Sequence, residues 1–184
     1  NNIKKYDLII VADYGHGIIT QRIRKLILKN GKKVFLNTQI NSFNRGFHTV
    51  FNYKKINTLV INESELRYEL RDRTSEVGAL AKKLMKELNI SEMLVTSGRR
   101  GMTYYNKKIS KSKNLDAFSD YAIDKIGAGD TVLGFFSLMM QSKLSVELSL
   151  LISSLAARHS VRDIGNKNSF DKQKLMMGLN YLLK

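Results

Sequence analysis

The sequence Gly127-Ala128-Gly129-Asp130 leads directly into an apolar run, Thr131-Val-Leu-Gly-Phe-Phe-Ser-Leu-Met-Met140. Two glycines around an alanine allow a tight turn and leave consecutive N–H groups uncovered. The run is long enough for a buried helix, and a helix N-terminus attracts anions through its free N–H groups and its dipole. An aspartate there would repel a phosphate. We therefore interpret Asp130 as a base that deprotonates a hydroxyl attacking a phosphoryl group; the simpler alternative is that it only charges the first helical turn.

The composition is that of a globular protein. The chain has 184 residues, of which 43% are hydrophobic, and this suffices for one domain with a real core. It has no cysteine, so disulfides and cysteine-bound metals are excluded. No apolar stretch reaches transmembrane length, and no secretory signal is recognised. We therefore expect a cytoplasmic protein without membrane contact.

The chain is strongly basic. Its formal net charge is +15, from 31 Lys and Arg against 16 Asp and Glu, which is typical of nucleic-acid-binding domains. However, the basic residues are scattered, and only 106–113 is locally dense. The sequence is also rich in Asn, Ile and Lys and has no proline, which indicates a general compositional bias. We therefore expect no nucleic-acid partner, but a surface that steers an anionic small molecule.

Strands and helices alternate along the sequence. Short apolar runs predict strands at 7–12, 33–37, 58–62 and 92–96, and 102–105 is expected to form a hairpin with the last of these. Helical periodicity covers 18–30, 64–70, 74–88, 126–140, 145–159 and 171–183. The first strand is expected to be buried on both faces, and Gly31 to end the first helix as a left-handed residue. This order favours an α/β fold with a mostly parallel sheet flanked by helices.

Polar residues close the four predicted parallel strands. They are Asp13, Asn37, Asn62 and Thr96. Ligands of open α/β sheets bind at the carboxyl ends of the strands. For any single residue, the simpler explanation is that loops are hydrated. Four in succession, followed by a glycine-rich helix start, favour a binding site.

Three motifs, in this order, resemble those of the ribokinase (pfkB) family of sugar kinases. Asn62-Glu63-Ser64-Glu65 is similar to the family's Asn-x-x-Glu motif. Thr96-Ser97-Gly98-Arg99-Arg100-Gly101 is similar to its Thr-x-Gly-x-x-Gly nucleotide loop. The stretch from Asp124 to Asp130 is similar to its Asp-Thr-Thr-Gly-Ala-Gly-Asp signature. The resemblance runs from about residue 7 to the final helix.

Two further segments extend the resemblance. Residues 156–165 are similar to the segment that closes the adenine pocket of the family. Asp13-Tyr14-Gly15-His16-Gly17 resembles Asp-Tyr-Gly-Lys-Gly of the heptose-phosphate kinase branch. Departures affect sugar choice and nucleotide affinity: His16 stands in place of lysine, Asn37-Thr38-Gln39 in place of Asp-Pro-Lys, Ser154 in place of an asparagine, and Lys125 in place of a small residue.

The resemblance implies a role for each matching residue. Asp130 would be the general base, and the N–H groups of Gly127, Ala128 and Gly129 would form the anion hole. Asn62 and Glu65 would organise Mg²⁺ through water, and Asp124 would lie near a monovalent cation such as K⁺. The residues expected to contact ATP are Thr96, Gly98, Gly101, Ser154 and Gly165. The residues expected near the sugar are Asp13, Gly15 and Asn37.

The resemblance implies an ATP-dependent kinase that phosphorylates a hydroxyl of a sugar or sugar phosphate, with a heptose 7-phosphate as one candidate. Residues 1–184 would be the C-terminal portion of one ribokinase-like domain, without the N-terminal part and the lid. We therefore expect the chain alone to be a poor kinase or inactive, with a free sheet edge and a possible homodimer. A nucleoside kinase and a non-catalytic nucleotide or sugar-phosphate sensor are the alternatives, and Asp130 argues against the sensor. An RNA-binding module lacks a supporting motif.

Overall fold

Six strands form one sheet whose order follows the sequence, β1-β2-β3-β4-β5-β6. The strands are β1 (Ile9–Asp13), β2 (Val34–Thr38), β3 (Thr58–Asn62), β4 (Glu92–Thr96), β5 (Met102–Asn106) and β6 (Ile109–Leu115). The pairs β1–β2, β2–β3 and β3–β4 are parallel. β5 turns back along β4, since Ser97 N–H donates to Gly101 O and Lys107 N–H to Ser91 O, both at 2.8 Å. The sheet is therefore mixed, with its parallel strands first.

Helices follow or separate the strands. They are α1 (Gln21–Asn30), α2 (Glu63–Leu70), α3 (Val77–Leu88), α4 (Ala128–Gln141), α5 (Val146–Ser160) and α6 (Lys172–Leu182). The computed structural model describes residues 2–117, 127–160 and 172–182. The chain divides into two compact units, one of 1–96 with 103–112 and the other of 97–102 with 113–184. The predicted α/β fold with helices flanking a mostly parallel sheet is confirmed.

The first unit is built on a buried stripe of α3. Leu80, Ala81, Leu84, Met85 and Leu88 recur at helical spacing, and all are buried in the core cluster. All five residues of β2 are buried, as the interior of a parallel sheet requires. The apolar stripe of α3 and the apolar run of β2 therefore form the interior of this unit.

The prediction that β1 is buried on both faces is wrong. Val11 and Asp13 are buried, but Ile10 is 41% exposed and Ala12 is also exposed. Within the described residues β1 pairs only with β2, so it lies at an edge of the sheet. The alternation of buried and exposed side chains shows that one face of β1 is covered and the other is open.

Gly31 ends α1 in another way than predicted. Its φ is −72°, so it is not left-handed. The position is crowded instead, because an added Cβ would lie 2.6 Å from Cγ2 of Val34 and 2.8 Å from the Ile27 carbonyl oxygen. Glycine is therefore required here by space and not by backbone conformation.

Side-chain hydrogen bonds accompany the later starts of two helices: a cap at α1 and a turn before α3. α1 begins at Gln21, because the Thr20 hydroxyl accepts the Ile23 N–H at 3.3 Å as an N-cap. α3 begins at Val77, because Asp72 accepts the N–H groups of Thr74 and Ser75 at 3.0 and 2.9 Å and holds them in a turn. Local hydrogen bonds thus compete with helix formation at both places.

The second unit contains α4, α5 and α6. α4 packs on α5 and buries Val132, Leu133 and Phe136. The buried hydroxyls of Ser137 and Ser153 both donate to carbonyl oxygens one turn earlier, at 2.6 Å, so small polar side chains are accommodated without lost hydrogen bonds. In the part of the chain that the structure describes, no helix has the length and apolar character needed to cross a membrane.

Candidate functional site

The carboxyl ends of the four parallel strands carry the predicted polar residues. Asp13 is in register with Thr38, and Asn62 with Thr96. Because the strands are parallel, their carboxyl ends lie side by side at one end of the sheet. The structure therefore places four residues at this carboxyl end of the sheet: Asp13, Asn37, Asn62 and Thr96.

Asp13 is buried, and protein groups engage both of its carboxylate oxygens. Oδ1 accepts the Gly15 N–H at 3.0 Å, and Oδ2 accepts the Tyr53 hydroxyl at 2.5 Å. Nε2 of His48 lies 3.8 Å from Oδ2. Burial and the adjacent carboxylate raise the pKa of Tyr53 above its usual range, so the phenol remains a donor. Asp13 thus shapes the loop that follows β1.

That loop is tied to a second loop through Asn44. The Asn44 side-chain nitrogen donates to the carbonyl oxygens of Tyr14 and Gln39 at 2.9 and 2.8 Å. Gly15 has φ +69°, and an added Cβ would lie 2.5 Å from this nitrogen and 2.8 Å from the His48 ring. Glycine at 15 therefore permits the close approach of the two loops.

Three buried polar atoms near the ends of β1 and β2 have no hydrogen-bond partner among the described residues. They are Asn37 Oδ1, Thr38 Oγ1 and His48 Nε2. The Asn37 side chain is held in place because its nitrogen donates to the Val60 carbonyl at 2.9 Å. Buried polar groups are nearly always satisfied in folded proteins. These atoms therefore indicate where a polar ligand can bind.

Tyr53→Phe is expected to lower the free energy of unfolding by about 1–3 kcal/mol, because the buried Asp13 carboxylate loses a donor. Urea denaturation of the chain measures this change. Tyr6→Phe removes the same hydroxyl from a side chain that is 61% exposed, and it should leave the midpoint unchanged. Equal midpoints for both variants would contradict this role of Tyr53.

Asn62 and Glu65 form a reciprocal cap at the start of α2. The Asn62 side chain accepts the Glu65 N–H at 2.9 Å, and Glu65 Oε2 accepts the Asn62 N–H at 3.2 Å. Glu65 Oε1 also accepts the Ile40 N–H at 3.4 Å. Burial raises the pKa of the Glu65 carboxyl, and these N–H groups oppose the shift. Each carboxylate oxygen has a second lone pair, so the cap leaves Glu65 able to bind a metal-bound water.

The loop after β4 is a tight turn in which two glycines have positive φ. Arg100 N–H donates to Ser97 O at 3.2 Å, and Gly101 N–H donates to Gly98 O at 3.0 Å. Gly98 and Gly101 have φ +58° and +82°. An added Cβ meets nothing within 4 Å at Gly98, but at Gly101 it would overlap the carbonyl oxygen of Leu115. The second glycine is therefore the more constrained.

α4 begins directly after Gly127, two residues later than the predicted start at 126. This glycine is left-handed, with φ +84°, and its carbonyl oxygen accepts both the N–H and the hydroxyl of Thr131 at 3.0 and 2.9 Å. Ala128, Gly129 and Asp130 form the first turn, where N–H groups have no intrahelical acceptor. Gly129 has nothing within 4 Å of an added Cβ. The helix start thus has the geometry of an anion site with a carboxylate beside it.

Some predicted site residues are not brought into these clusters. Asp124 and Gly165, together with the cation and adenine contacts expected of them, lie outside the described residues. Ser154 is buried in α5. No group of three or more His, Asp or Glu side chains suited to a metal ion occurs among the residues that are described. Sequence reasoning missed Asn44, His48 and Tyr53, which no motif marks.

The model of the pfkB family carbohydrate kinases matches residues 6–173. The bifunctional protein HldE of Aliarcobacter butzleri (strain RM4018) is 26% identical over 173 residues, which cover 90% of this chain and 34% of the relative. The bifunctional protein HldE of Campylobacter curvus (strain 525.92) is 25% identical over 168 residues, covering 90% and 35%. The chain thus spans about a third of the length of these curated relatives.

Solved ribokinases have the same fold. A ribokinase from Thermotoga maritima superposes with a TM-score of 0.77 at 20% identity, covering 98% of this chain and 59% of its own. The Arabidopsis thaliana ribokinase complexed with ribose and ATP gives a TM-score of 0.77 at 19% identity, covering 95% and 56%. The predicted ribokinase-like architecture is confirmed by these similarities.

Proposed function

Because the chain belongs to the pfkB family of carbohydrate kinases, we propose that it supplies the nucleotide side and the catalytic base of an enzyme that phosphorylates a sugar or sugar phosphate with ATP. One observation carries this proposal. Asp130 lies in the first turn of a helix that begins after a left-handed glycine, where the N–H groups have no acceptor within the helix. A carboxylate beside an anion site is suited to activate a hydroxyl next to a phosphoryl group.

The transfer needs a base and a site for the developing negative charge. Asp130 accepts the proton of the acceptor hydroxyl, and the hydroxyl oxygen forms a bond to the γ-phosphorus. The bond from this phosphorus to the bridging oxygen breaks, and ADP leaves with that electron pair. The N–H groups of Gly127, Ala128 and Gly129 stabilise the charge on the transferred group. Thr96, Gly98 and Gly101 contact the ATP phosphates and ribose.

Asn62 and Glu65 would hold Mg²⁺ through water. The amide and carboxylate oxygens of this pair are the hard donors that Mg²⁺ prefers, and the lone pairs left by the cap support the assignment. Bound there, the ion neutralises phosphate charge. We also propose that K⁺ binds near Asp124, and that Ser154 and Gly165 contribute to the adenine pocket.

We propose that the sugar substrate binds beside Asp13, Gly15 and Asn37. The exposed sequence around His16 resembles the heptose-phosphate branch, so a heptose 7-phosphate is our first candidate substrate. The buried oxygens of Asn37 and Thr38 support a polyhydroxylated ligand at the end of β2, because they have no partner among the described residues. Asp13 acts by shaping the loop, since both of its oxygens accept protein donors.

Nucleotide binding tests the proposal without a sugar. Titration of ATP with Mg²⁺ into the ¹⁵N-labelled chain is expected to shift the amide resonances of 96–101 and 127–130, because these segments would contact phosphates. Amides of α1 serve as the control and should stay in place. Shifts confined to other segments, or none at millimolar ATP, would contradict the assignment.

Glu65→Gln is expected to raise the Mg²⁺ concentration that gives half-maximal rate in the full reading frame that contains this chain. The variant keeps the size of the side chain but removes its charge. Steady-state rates at fixed ATP and varied Mg²⁺ measure the effect. Glu63→Gln is the matched control, because Glu63 lies in the same helical turn and is paired with Arg67 at 3.0 Å. If the Mg²⁺ dependence of Glu65→Gln equals that of the control, Glu65 only caps α2.

A further inference from the structure

A groove of about 390 Å³ lies in the first unit, between α3 and the β5–β6 hairpin. None of the residues assigned to ATP, metal or sugar lines it. Its volume is within the range of small-molecule sites. The groove is therefore distinct from the residues assigned to the kinase chemistry.

The floor of the groove is apolar. Met85 is 5% exposed and belongs to the core cluster, against which the half-buried Tyr105 packs. Gly78 has no side chain, so the space in front of the Tyr105 ring stays open. An added Cβ would lie 3.7 Å from this ring. A larger residue at 78 would fill this space. The floor thus suits a flat or chain-like apolar group.

The rim of the groove is cationic. Lys82 and Lys86 are four residues apart on α3, so they lie on one face, and Lys107 lines the groove from the hairpin. All three are exposed, and none has an ion pair within the described part of the chain. The hydroxyls of Ser110 and Ser112 add hydrogen-bonding groups.

The residues that line the groove carry a net positive charge. Aspartate and glutamate are absent from the lining residues. Two carboxylates lie nearby: Glu63 pairs with Arg67, whereas Glu92 accepts the Thr58 hydroxyl at 2.8 Å and a side-chain N–H of Asn106, a lining residue, at 3.5 Å. The three lysines outnumber the one nearby carboxylate that has no cationic partner among the described residues, so the field at the rim favours an anion.

We propose that this groove binds a small organic anion with an apolar body. The body lies against Met85 and Tyr105, and the anionic group lies among Lys82, Lys86 and Lys107. The lysines bind the negative charge and the floor contacts apolar surface. Inorganic phosphate can contact the lysines but has no apolar part to contact the floor. This binding is independent of the proposed phosphoryl transfer, because the two share no residue.

Titration of 1-naphthyl phosphate into the ¹⁵N-labelled chain tests the proposal. Saturable shifts are expected at Gly78, Tyr105 and Ile109. Inorganic phosphate and neutral 1-naphthol should each bind more weakly, since each lacks one of the two parts. Affinity should fall as ionic strength rises, because exposed charges are screened. Equal affinity for 1-naphthol, or shifts confined to 96–101 and 127–130, would overturn the proposal.

Charge and volume variants separate the two parts of the site. Lys82→Gln and Lys86→Gln are each expected to weaken 1-naphthyl phosphate binding about two- to fivefold. Lys83→Gln removes the same charge from a residue outside the lining, and it should have no effect. Gly78→Leu should abolish saturable binding by filling the groove, with circular dichroism as the check on folding. Unchanged affinity in the Lys82 and Lys86 variants would overturn the proposal, whatever the outcome for Gly78→Leu.

Discussion

In the full reading frame that contains this chain, Asp130→Asn is expected to lower the rate of phosphoryl transfer about 10²–10⁴-fold, as the loss of a general base does. ATP binding should remain nearly intact, because asparagine keeps the size of the side chain in the first turn of α4. Coupled measurement of ADP release gives the rate, and titration calorimetry gives the affinity for ATP.

The matched control is Asp116→Asn. Asp116 is exposed and, within the described residues, accepts a single hydrogen bond, from Asn114 at 3.2 Å, so its loss should not change the rate. Near-normal turnover of the Asp130 variant would remove this residue from the mechanism. A large loss of ATP affinity would assign it a role in binding instead.

Gly101→Ala is expected to destabilise the chain by about 3 kcal/mol or more and to abolish ATP binding. Its φ of +82° and ψ of −138° belong to a region open essentially to glycine alone. The added Cβ would overlap the Leu115 carbonyl oxygen and lie 2.8 Å from the Ala117 nitrogen. Both contacts are with backbone, which cannot move aside as a flexible side chain can. Urea denaturation measures the change.

Gly98→Ala provides the comparison within the same loop. Its φ of +58° is accessible to alanine at a cost of about 1–2 kcal/mol, and nothing lies within 4 Å of the added Cβ. The Gly98 variant should therefore fold and still bind ATP weakly. Equal unfolding midpoints for the two variants would show that the backbone contacts at Gly101 do not affect the free energy of unfolding.

The sequence predicted the central strands of the sheet better than its edge strand and the starts of two helices. β3 and β4 have the predicted bounds, because an uninterrupted apolar run between polar residues corresponds directly to a buried strand. β1 has the same kind of run, but its edge position depends on which strands surround it, and composition does not encode this. The starts of α1 and α3 depend on hydrogen bonds from Thr20 and Asp72, which an apolar pattern does not register.

The candidate site was predictable where its residues are contiguous. The glycine turns at 98–101 and 127–129 follow from local conformation and were identified from short motifs. The spacing of Asn62 and Glu65 is also that of a capping box, which could have been recognised from the sequence. Tyr53 and His48 reach Asp13 from loops 35 or more residues away, so only the folded chain brings these three side chains together.

ADP formation with and without a sugar tests the central claim most directly. The full reading frame that contains this chain would be incubated with ATP, Mg²⁺ and one compound at a time from a panel of hexoses, heptose phosphates and nucleosides. We expect ADP release to depend on one sugar or sugar phosphate, and to be lost in Asp130→Asn. A folded protein that binds ATP but forms no ADP with any sugar would contradict the kinase and favour a sensor, and a response to a nucleoside alone would replace the proposed substrate class.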